Sequence, residues 1–472
     1  MDYKDKKYAI VLGRHYDGVG CVACAREIWT WCMRNNIDLE IFVHVGKKSA
    51  RFNSQRMDYV GYKEKDLDDI QKRLNEKDVV MFWSYPYAKF DHSYIRSFYD
   101  KIIKGLDKPI KVGFIYELHK TYINKIPYIA AIMNNMDVIY GYGPNTWFNR
   151  SMEAMFPHKK EEDRVRRMTH CIDLEEMKRY RNDQPGKERK IMFCGRWTTT
   201  KAPATLLNLA PYIKELDPNF SVKLRGIEKS IGAKSDIYDN PYCIDCTNEK
   251  TGPKPNEKGC AEVYKEYIHA DAMTELSNTM FGFSGFHLKE SEYSNRVECA
   301  MAEYINCGAI PVFGEHWAKH NRLIASTGET YYDHNLKHPF MITFTNDTLK
   351  ETAEKIIEVS KDEKLQKEMI DNGYEILKKE FSPDWIVPDL FQTCLKLGHD
   401  THKFKTEEDL IRSLIDDEFV DEYLKLYEEY KDKEIVVLDC KGLYENNIFA
   451  ITEGNKNTII KEFKKPRTRK KK

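Results

Sequence analysis

Short apolar runs recur along this chain at the spacing of strand, helix and next strand: Tyr8–Leu12, Leu39–Val45, Val79–Trp83, Val112–Tyr116 and Val138–Tyr140. Charged segments with a helical pattern, such as Glu64–Asn75 and Tyr94–Lys104, separate them. Short runs without polar alternation read as strands buried on both faces, and strands alternating with helices imply a parallel sheet. The rhythm then starts again, with Ile191–Phe193, a helix over Ala204–Glu215, Val222–Arg225, Phe281–His287, Ile310–Phe313 and Met341–Phe344. Two such sets in 472 residues predict two α/β domains in tandem, with ligands taken at the carboxyl ends of the strands.

The first domain is expected over residues 1–160. A charge-dense segment, 161–190, follows as a linker, rich in Arg and Lys (Arg164, Arg166, Arg167, Arg179, Arg181) but also in acids. That mixture reads as a solvated face before it reads as a track for a phosphate backbone. The second domain is expected over 191–380, with a helix at 381–398 returning toward the first. Residues 399–472 change character: an acidic helical stretch at Glu407–Tyr430, two strands at Glu434–Cys440 and Asn447–Thr452, and the cationic tail KKPRTRKKK. The basic and acidic residues, 75 of each, cancel, so no global field selects nucleic acid or membrane as a partner. No secretory signal and no apolar stretch of about 20 residues is seen, so the expectation is a cytoplasmic protein without a membrane partner. Most of the 12 cysteines stand singly and read as reduced thiols.

Chemistry-bearing residues gather where strands should end. MFCGRWTTTK (Met192–Lys201) is an apolar run stopped by Gly195, with Arg196 and Lys201 at the mouth of the loop. An Arg fork and a Lys point charge suit a phosphate; solvated surface charges are the alternative. Near the N-terminus, Asp17-Gly18-Val19-Gly20 lies between a strand and the helical pattern Val22–Met33. That arrangement serves either as a phosphate-facing turn or as a plain tight turn. Glu298 and Glu303 lead into CGAIPVF, and a carboxylate on a helix beneath a strand mouth suits the two hydroxyls of a ribose. Cys243, Cys246 and Cys260, with His269 beyond them, offer either a structural zinc site or free thiols in a Pro/Gly loop.

Taken together, these blocks resemble the retaining glycosyltransferases of the GT-B architecture and, within them, the DNA α-glucosyltransferases of T-even bacteriophages. The carrying residues are the Asp17–Cys21 loop, GRWTTTK, RGIEKS (Arg225–Ser230), MFGF (Met280–Phe283), and Glu298 with Glu303 before CGAIPVF, in an order running from about Lys7 to Leu397. The resemblance implies two Rossmann-like domains facing a central cleft, plus a small α+β extension. It implies a UDP-sugar donor, UDP-glucose in the family, bound by the second domain without an obligatory catalytic metal. Arg196 and Lys201 would hold the pyrophosphate, Glu303 the ribose, and Glu298 the sugar or phosphate. Gly226 and Ile227 would line the uracil, and the Gly18–Gly20 loop would close over the donor. The acceptor would be 5-hydroxymethylcytosine in double-stranded DNA, with the enzyme acting as a monomer in the infected bacterial cell.

The chain departs from the family in one place. Where a His-Asp pair follows the fourth strand of the first domain in the family, this sequence reads Glu117-Leu118-His119, so His119 or Glu117 is the expected assistant to the acceptor hydroxyl. The altered order leaves open a different sugar, arabinose for instance, a related base, or a GT-B enzyme with a non-DNA acceptor. A binding protein without catalysis is the remaining class, and Arg196, Lys201 and Glu303 together argue against it.

Overall fold

The computed structural model describes residues 2–12, 19–45, 57–84, 97–115, 126–142, 153, 156–197, 201–228, 237–247, 252–265, 269–285, 299–323, 328–414, 448–453 and 457–462. They divide into two units. Unit 1 takes Met1–Tyr142, Thr146–Met168 and Pro383–Lys472, and unit 2 takes Thr169–Ser382 with Gly143–Asn145.

Unit 1 is built on a parallel sheet of β1 (Lys7–Leu12), β2 (Asp38–His44), β3 (Val60–Tyr62), β4 (Val79–Ser84), β5 (Ile110–Ile115), β6 (Val138–Tyr142) and β7 (Val165–Met168). Their spatial order is β3-β2-β1-β4-β5-β6-β7. From β1 the chain first builds outward on one side and then crosses to β4 on the other, so the order reverses between β1 and β4. Helix α1 (Val19–Arg34) leaves the end of β1, with Gly20 in its first turn. The charge-dense segment is more than a connector: β7 within it is an edge strand paired with β6. Two arginines in a strand of four residues hide it from a hydrophobic pattern.

The helix Pro383–Leu397 closes unit 1. Phe391 stacks on Tyr8 of β1 with ring centroids 3.8 Å apart, and Trp31 donates its indole N–H to Asp384 at 2.8 Å. The helix ends at Gly398, in the left-handed region at φ 59°, and Arg164 donates to the carbonyls of Leu397, Gly398 and His399 at 3.0, 3.0 and 3.3 Å. An Arg fork on the last carbonyls satisfies groups the helix leaves open. Beyond it, Asp137 accepts from the Asp400 N–H at 2.8 Å and from Lys403 at 2.6 Å. Lys159 pairs with Asp400 and donates to the Met136 carbonyl at 2.7 Å. The side chains of Lys159 and Asp400 are fully buried. Burial pushes the Lys159 ammonium down to about 8 against the pull of Asp400. Further on, Glu407–Leu414 is helical, 415–430 of the acidic pattern lie outside the described residues, and β16 (Ile448–Glu453) pairs antiparallel with β17 (Asn457–Glu462). The strand expected at 434–440 lies outside the described residues.

Unit 2 carries β8 (Glu188–Trp197), β9 (Ser221–Glu228), β10 (Cys243–Asp245), β11 (Lys254–Pro255), β12 (Ala261–Lys265), β13 (Thr279–Ser284), β14 (Ile310–Gly314) and β15 (Ile342–Phe344). They lie in the order β11-β10-β12-β9-β8-β13-β14-β15, parallel except for the β10–β11 pair. β13 and β14 are buried along their whole length, as their unbroken apolar runs demand. One core lies on each face of the sheet. Ile191, Phe193 and Trp197 of β8 face one, and Met192 and Cys194 face the other. No described helix is long and apolar enough to cross a membrane.

Removing one partner of the buried pair in unit 1 leaves a charge without compensation. Asp400→Ala is expected to lower unfolding stability by about 3–5 kcal/mol in urea titration. Replacing both partners, Lys159→Met with Asp400→Leu, is expected to recover most of that loss, since no buried charge is then orphaned.

Candidate functional site

In unit 2 the chain runs from β8 to β9 and on to β10, β11 and β12, all on one side, before β13 returns to the other flank of β8. The order therefore reverses between β8 and β13. In open α/β sheets the crevice at the carboxyl ends of two such strands is where ligands sit.

Several residues singled out by the sequence meet at that crevice. Gly195, at φ 157°, and Arg196 end β8 opposite Gly226 and Ile227 of β9. The side chains of Arg196 and Ile227 lie outside the described residues. Lys201 folds back over Gly195: its Cδ and Nζ lie 3.7 Å from the position a Cβ would take there. The Lys201 carbonyl accepts from the Gly285 N–H, just past the end of β13, at 3.1 Å. Ala202, next along, is held at φ 38°, a left-handed conformation that costs a non-glycine residue about 1–3 kcal/mol. The Gly285 contact fits this backbone closely, since a Cβ on Gly285 would stand 2.6 Å from the Ala202 carbonyl oxygen. Helix α2 (Ala204–Leu216) starts here, with no side chain capping its first turn at Pro203. A lysine beside a helix N-terminus at a strand end is an arrangement that suits an anion.

Glu303 reaches the same place by charge. It lies half-buried on α4 (Cys299–Asn306; α3 is His269–Ser277). Burial, then the Glu303 carboxylate, push the Cys194 thiol up, and Cys194 immediately precedes Gly195. Burial and Glu303 likewise push the Cys307 thiol up, to about 12. Lys201 and Gly195 thus share one end of one sheet, and Glu303 bears on the residue before Gly195 through its charge. Gly18, Glu117, His119 and Glu298 lie outside the described residues.

Gly226 has a steric role. A Cβ there would fall 1.8 Å from the indole Nε1 of Trp197, which is fully buried and packs edge-on against Tyr238. The glycine in RGIE lets β8 and β9 lie together with this indole across them. Arg225 is engaged as well: its Nε donates to Glu275 of α3 at 2.5 Å, and Lys223 pairs with the same carboxylate. Glu275 is held below the usual carboxylate range against burial, by Lys223 and Arg225. Alternate basic residues on β9 signal this cluster in the sequence; its acidic partner, distant in the chain, is not signalled.

Among the described residues, Cys243, Cys246 and Cys260 do not bring three ligand atoms within 4.8 Å of one another. Cys243 is part of the core and Cys260 packs against it. Burial pushes the Cys243 thiol up to about 12. The His269 side chain lies outside the described residues.

The two α/β units make this a fold of the GT-B glycosyltransferase kind, the class to which the solved structures it resembles belong. One is an α-glucosyltransferase in complex with UDP and a 13-mer DNA containing an HMU base. Its TM-score is 0.69 at 19% identity, over 83% of this chain and 99% of that one. Another is an α-glucosyltransferase with UDP-glucose and DNA containing an abasic site, with TM-score 0.67, 19% identity and the same coverage of both chains. A third is Anabaena Alr3699/HepE in complex with UDP and glucose, with TM-score 0.54, 9% identity, and 82% and 99% of the two chains covered. No family model and no curated protein matches the sequence. The resemblance carried by the motifs is therefore also a resemblance of folds.

Two outcomes follow from this geometry. Gly226→Ala is expected to cost about 1–3 kcal/mol by forcing the Trp197 indole aside, measured as a lowered urea midpoint. The second concerns pH. In unit 2 the thiols of Cys194, Cys243, Cys246, Cys260 and Cys307 are all pushed above their ordinary 9, while burial pushes Lys187 down to about 8. Above pH 9 the folded thiols keep protons that the unfolded chain has released, so stability falls as pH rises. Lys187 acts oppositely between pH 8 and 10.5, because its folded form releases its proton first. Among the described residues of both units, seven raised thiols (these five with Cys32 and Cys394) oppose three lowered lysines (Lys111, Lys159 and Lys187), and the urea midpoint is expected to be lower at pH 10 than at pH 8.5.

Proposed function

We propose that this protein transfers a sugar from a UDP-sugar to the hydroxymethyl group of 5-hydroxymethylcytosine in double-stranded DNA, using UDP-glucose and retaining the anomeric configuration. The observation that carries the proposal is the grouping at the switch point of unit 2. There Lys201 lies over Gly195, beside the position of Arg196, and the charge of Glu303 reaches Cys194. Solved structures of similar fold, bound to UDP, UDP-glucose and DNA, support the donor and the acceptor class.

In glycosyl transfer the bond from the anomeric carbon to the donor phosphate breaks, and negative charge collects on the departing diphosphate. Cations fixed at Arg196 and Lys201 stabilise that charge more in the transition state than in the ground state. Glu303 takes the ribose hydroxyls, and Glu298 lies toward the sugar or phosphate. Gly226 holds Trp197 and so shapes the strand end beside the base. The family resemblance assigns the Gly18–Gly20 segment to donor binding as well. His119 or Glu117 receives the acceptor proton. A hydroxymethyl group inside a duplex cannot reach such a site, so the acceptor nucleotide is flipped out of the stack. The requirement for duplex phosphates makes binding salt-dependent.

The test is transfer of labelled glucose from UDP-glucose to two duplexes that differ only in cytosine or 5-hydroxymethylcytosine. Label is expected on the modified duplex alone, with kcat lowered about 10²–10³-fold in Arg196→Ala. Donor hydrolysis without labelled DNA would discard the acceptor, and label from UDP-arabinose alone would change the sugar.

A further inference from the structure

The ladder between β8 and β13 stops early. Its last pairs are Phe281 with Ile191 and Gly282 with Met192, and a continued parallel ladder would next join the Cys194 N–H to the Phe283 carbonyl. The phenol of Tyr304 stands in that rung. Its oxygen accepts from the Cys194 N–H at 3.2 Å, and its hydroxyl donates to the Phe283 carbonyl at 3.0 Å. The ring is fully buried and lies across Gly282, where a Cβ would fall 2.3 Å from Tyr304 Cγ. One side chain thus replaces a direct strand-to-strand bond, at the point where the sheet order reverses.

We infer that Tyr304 is a positioning residue, a strut that holds the carboxyl ends of β8 and β13 apart at a fixed spacing and thereby sets the anion site. The inference rests on the nucleotide-sugar reading above. The two backbone groups it joins lie next to the site on both flanks. Cys194 leads into Gly195 and Arg196, while Phe283 leads through Ser284 to Gly285, whose N–H holds the Lys201 carbonyl. A change in strand separation therefore moves Arg196 relative to Lys201, and with them the spacing of two cations on one diphosphate. A hydroxyl is required because the rung needs an acceptor on one side and a donor on the other, and a phenol supplies both. Phenylalanine would keep the ring over Gly282 and lose both bonds.

The experiment compares the full-length protein with Tyr304→Phe and Tyr331→Phe. Tyr331 is another fully buried tyrosine of the same core, its ring packed against Trp317 and Phe340. Three quantities are read: amide hydrogen exchange of a peptide covering 192–197, UDP affinity by calorimetry, and the KM–kcat split for labelled transfer. Tyr304→Phe is expected to speed exchange at 192–197, weaken UDP about tenfold and raise donor KM by a similar factor. Tyr331→Phe is expected to leave all three at wild-type values. Wild-type exchange and UDP affinity in Tyr304→Phe would overturn the strut. A fall in thermal stability with unchanged affinity would overturn its positioning role and leave only a packing one. Failure of the underlying reading shows elsewhere, as absence of UDP binding by the wild-type protein.

Discussion

Two parallel strands that separate at their carboxyl ends are the constraint on which the candidate site depends. A parallel sheet whose order reverses must leave a gap between the first strand and its late-arriving neighbour, because the connections leave in opposite directions. Here the gap lies between β8 and β13, and its walls are unusually determined. Tyr304 spans it, Gly282 makes room for the ring, and the Gly285 N–H fastens the Lys201 loop to the far wall. Ala202 remains in a left-handed conformation because its neighbours fix it. The charges above the gap can act as an anion site because the backbone beneath them has few other arrangements.

The parallel core was legible because its strands are buried on both faces, which leaves unbroken apolar runs such as Tyr8–Leu12 and Ile310–Phe313. β7 was not, since an edge strand with Arg166 and Arg167 in its middle has no apolar signature. The meeting of Gly195 and Lys201 could be anticipated from residue type and spacing before a strand mouth. The role of Tyr304 could not: a tyrosine in a helix beside a glutamate looks like core filling. Its meaning comes from Cys194 and Phe283, distant in sequence and brought to it only by the sheet. Gly226 shows the opposite case, where a glycine read as part of a binding surface also has a packing duty against Trp197.

Charge is used differently in the two units. In unit 2, Lys223 and Arg225 converge on Glu275 along a partly exposed face, an arrangement that orients β9 without burying an ion fully. In unit 1, Lys159 and Asp400 are buried outright. Such a pair contributes little net stability over an apolar substitute, yet it strongly disfavours any arrangement in which only one partner is buried. With Arg164 on the last carbonyls of the returning helix, it gives the segment after Gly398 one place to dock.

That return has a consequence for synthesis. Unit 2 is continuous from Thr169 to Ser382 apart from three residues, whereas unit 1 is split around it and draws its last packing element from Pro383 onward. A chain made from its N-terminus completes the second unit first. Until Phe391 and Asp400 have left the ribosome, Tyr8 lacks its stacking partner and Lys159 its counter-charge. The nascent β1–β7 sheet must therefore wait, with an apolar flank open, through more than two hundred residues of elongation, on the order of 10–40 s at 5–20 residues per second. During that interval the first unit keeps exposed the apolar surface that makes incompletely folded chains prone to aggregate.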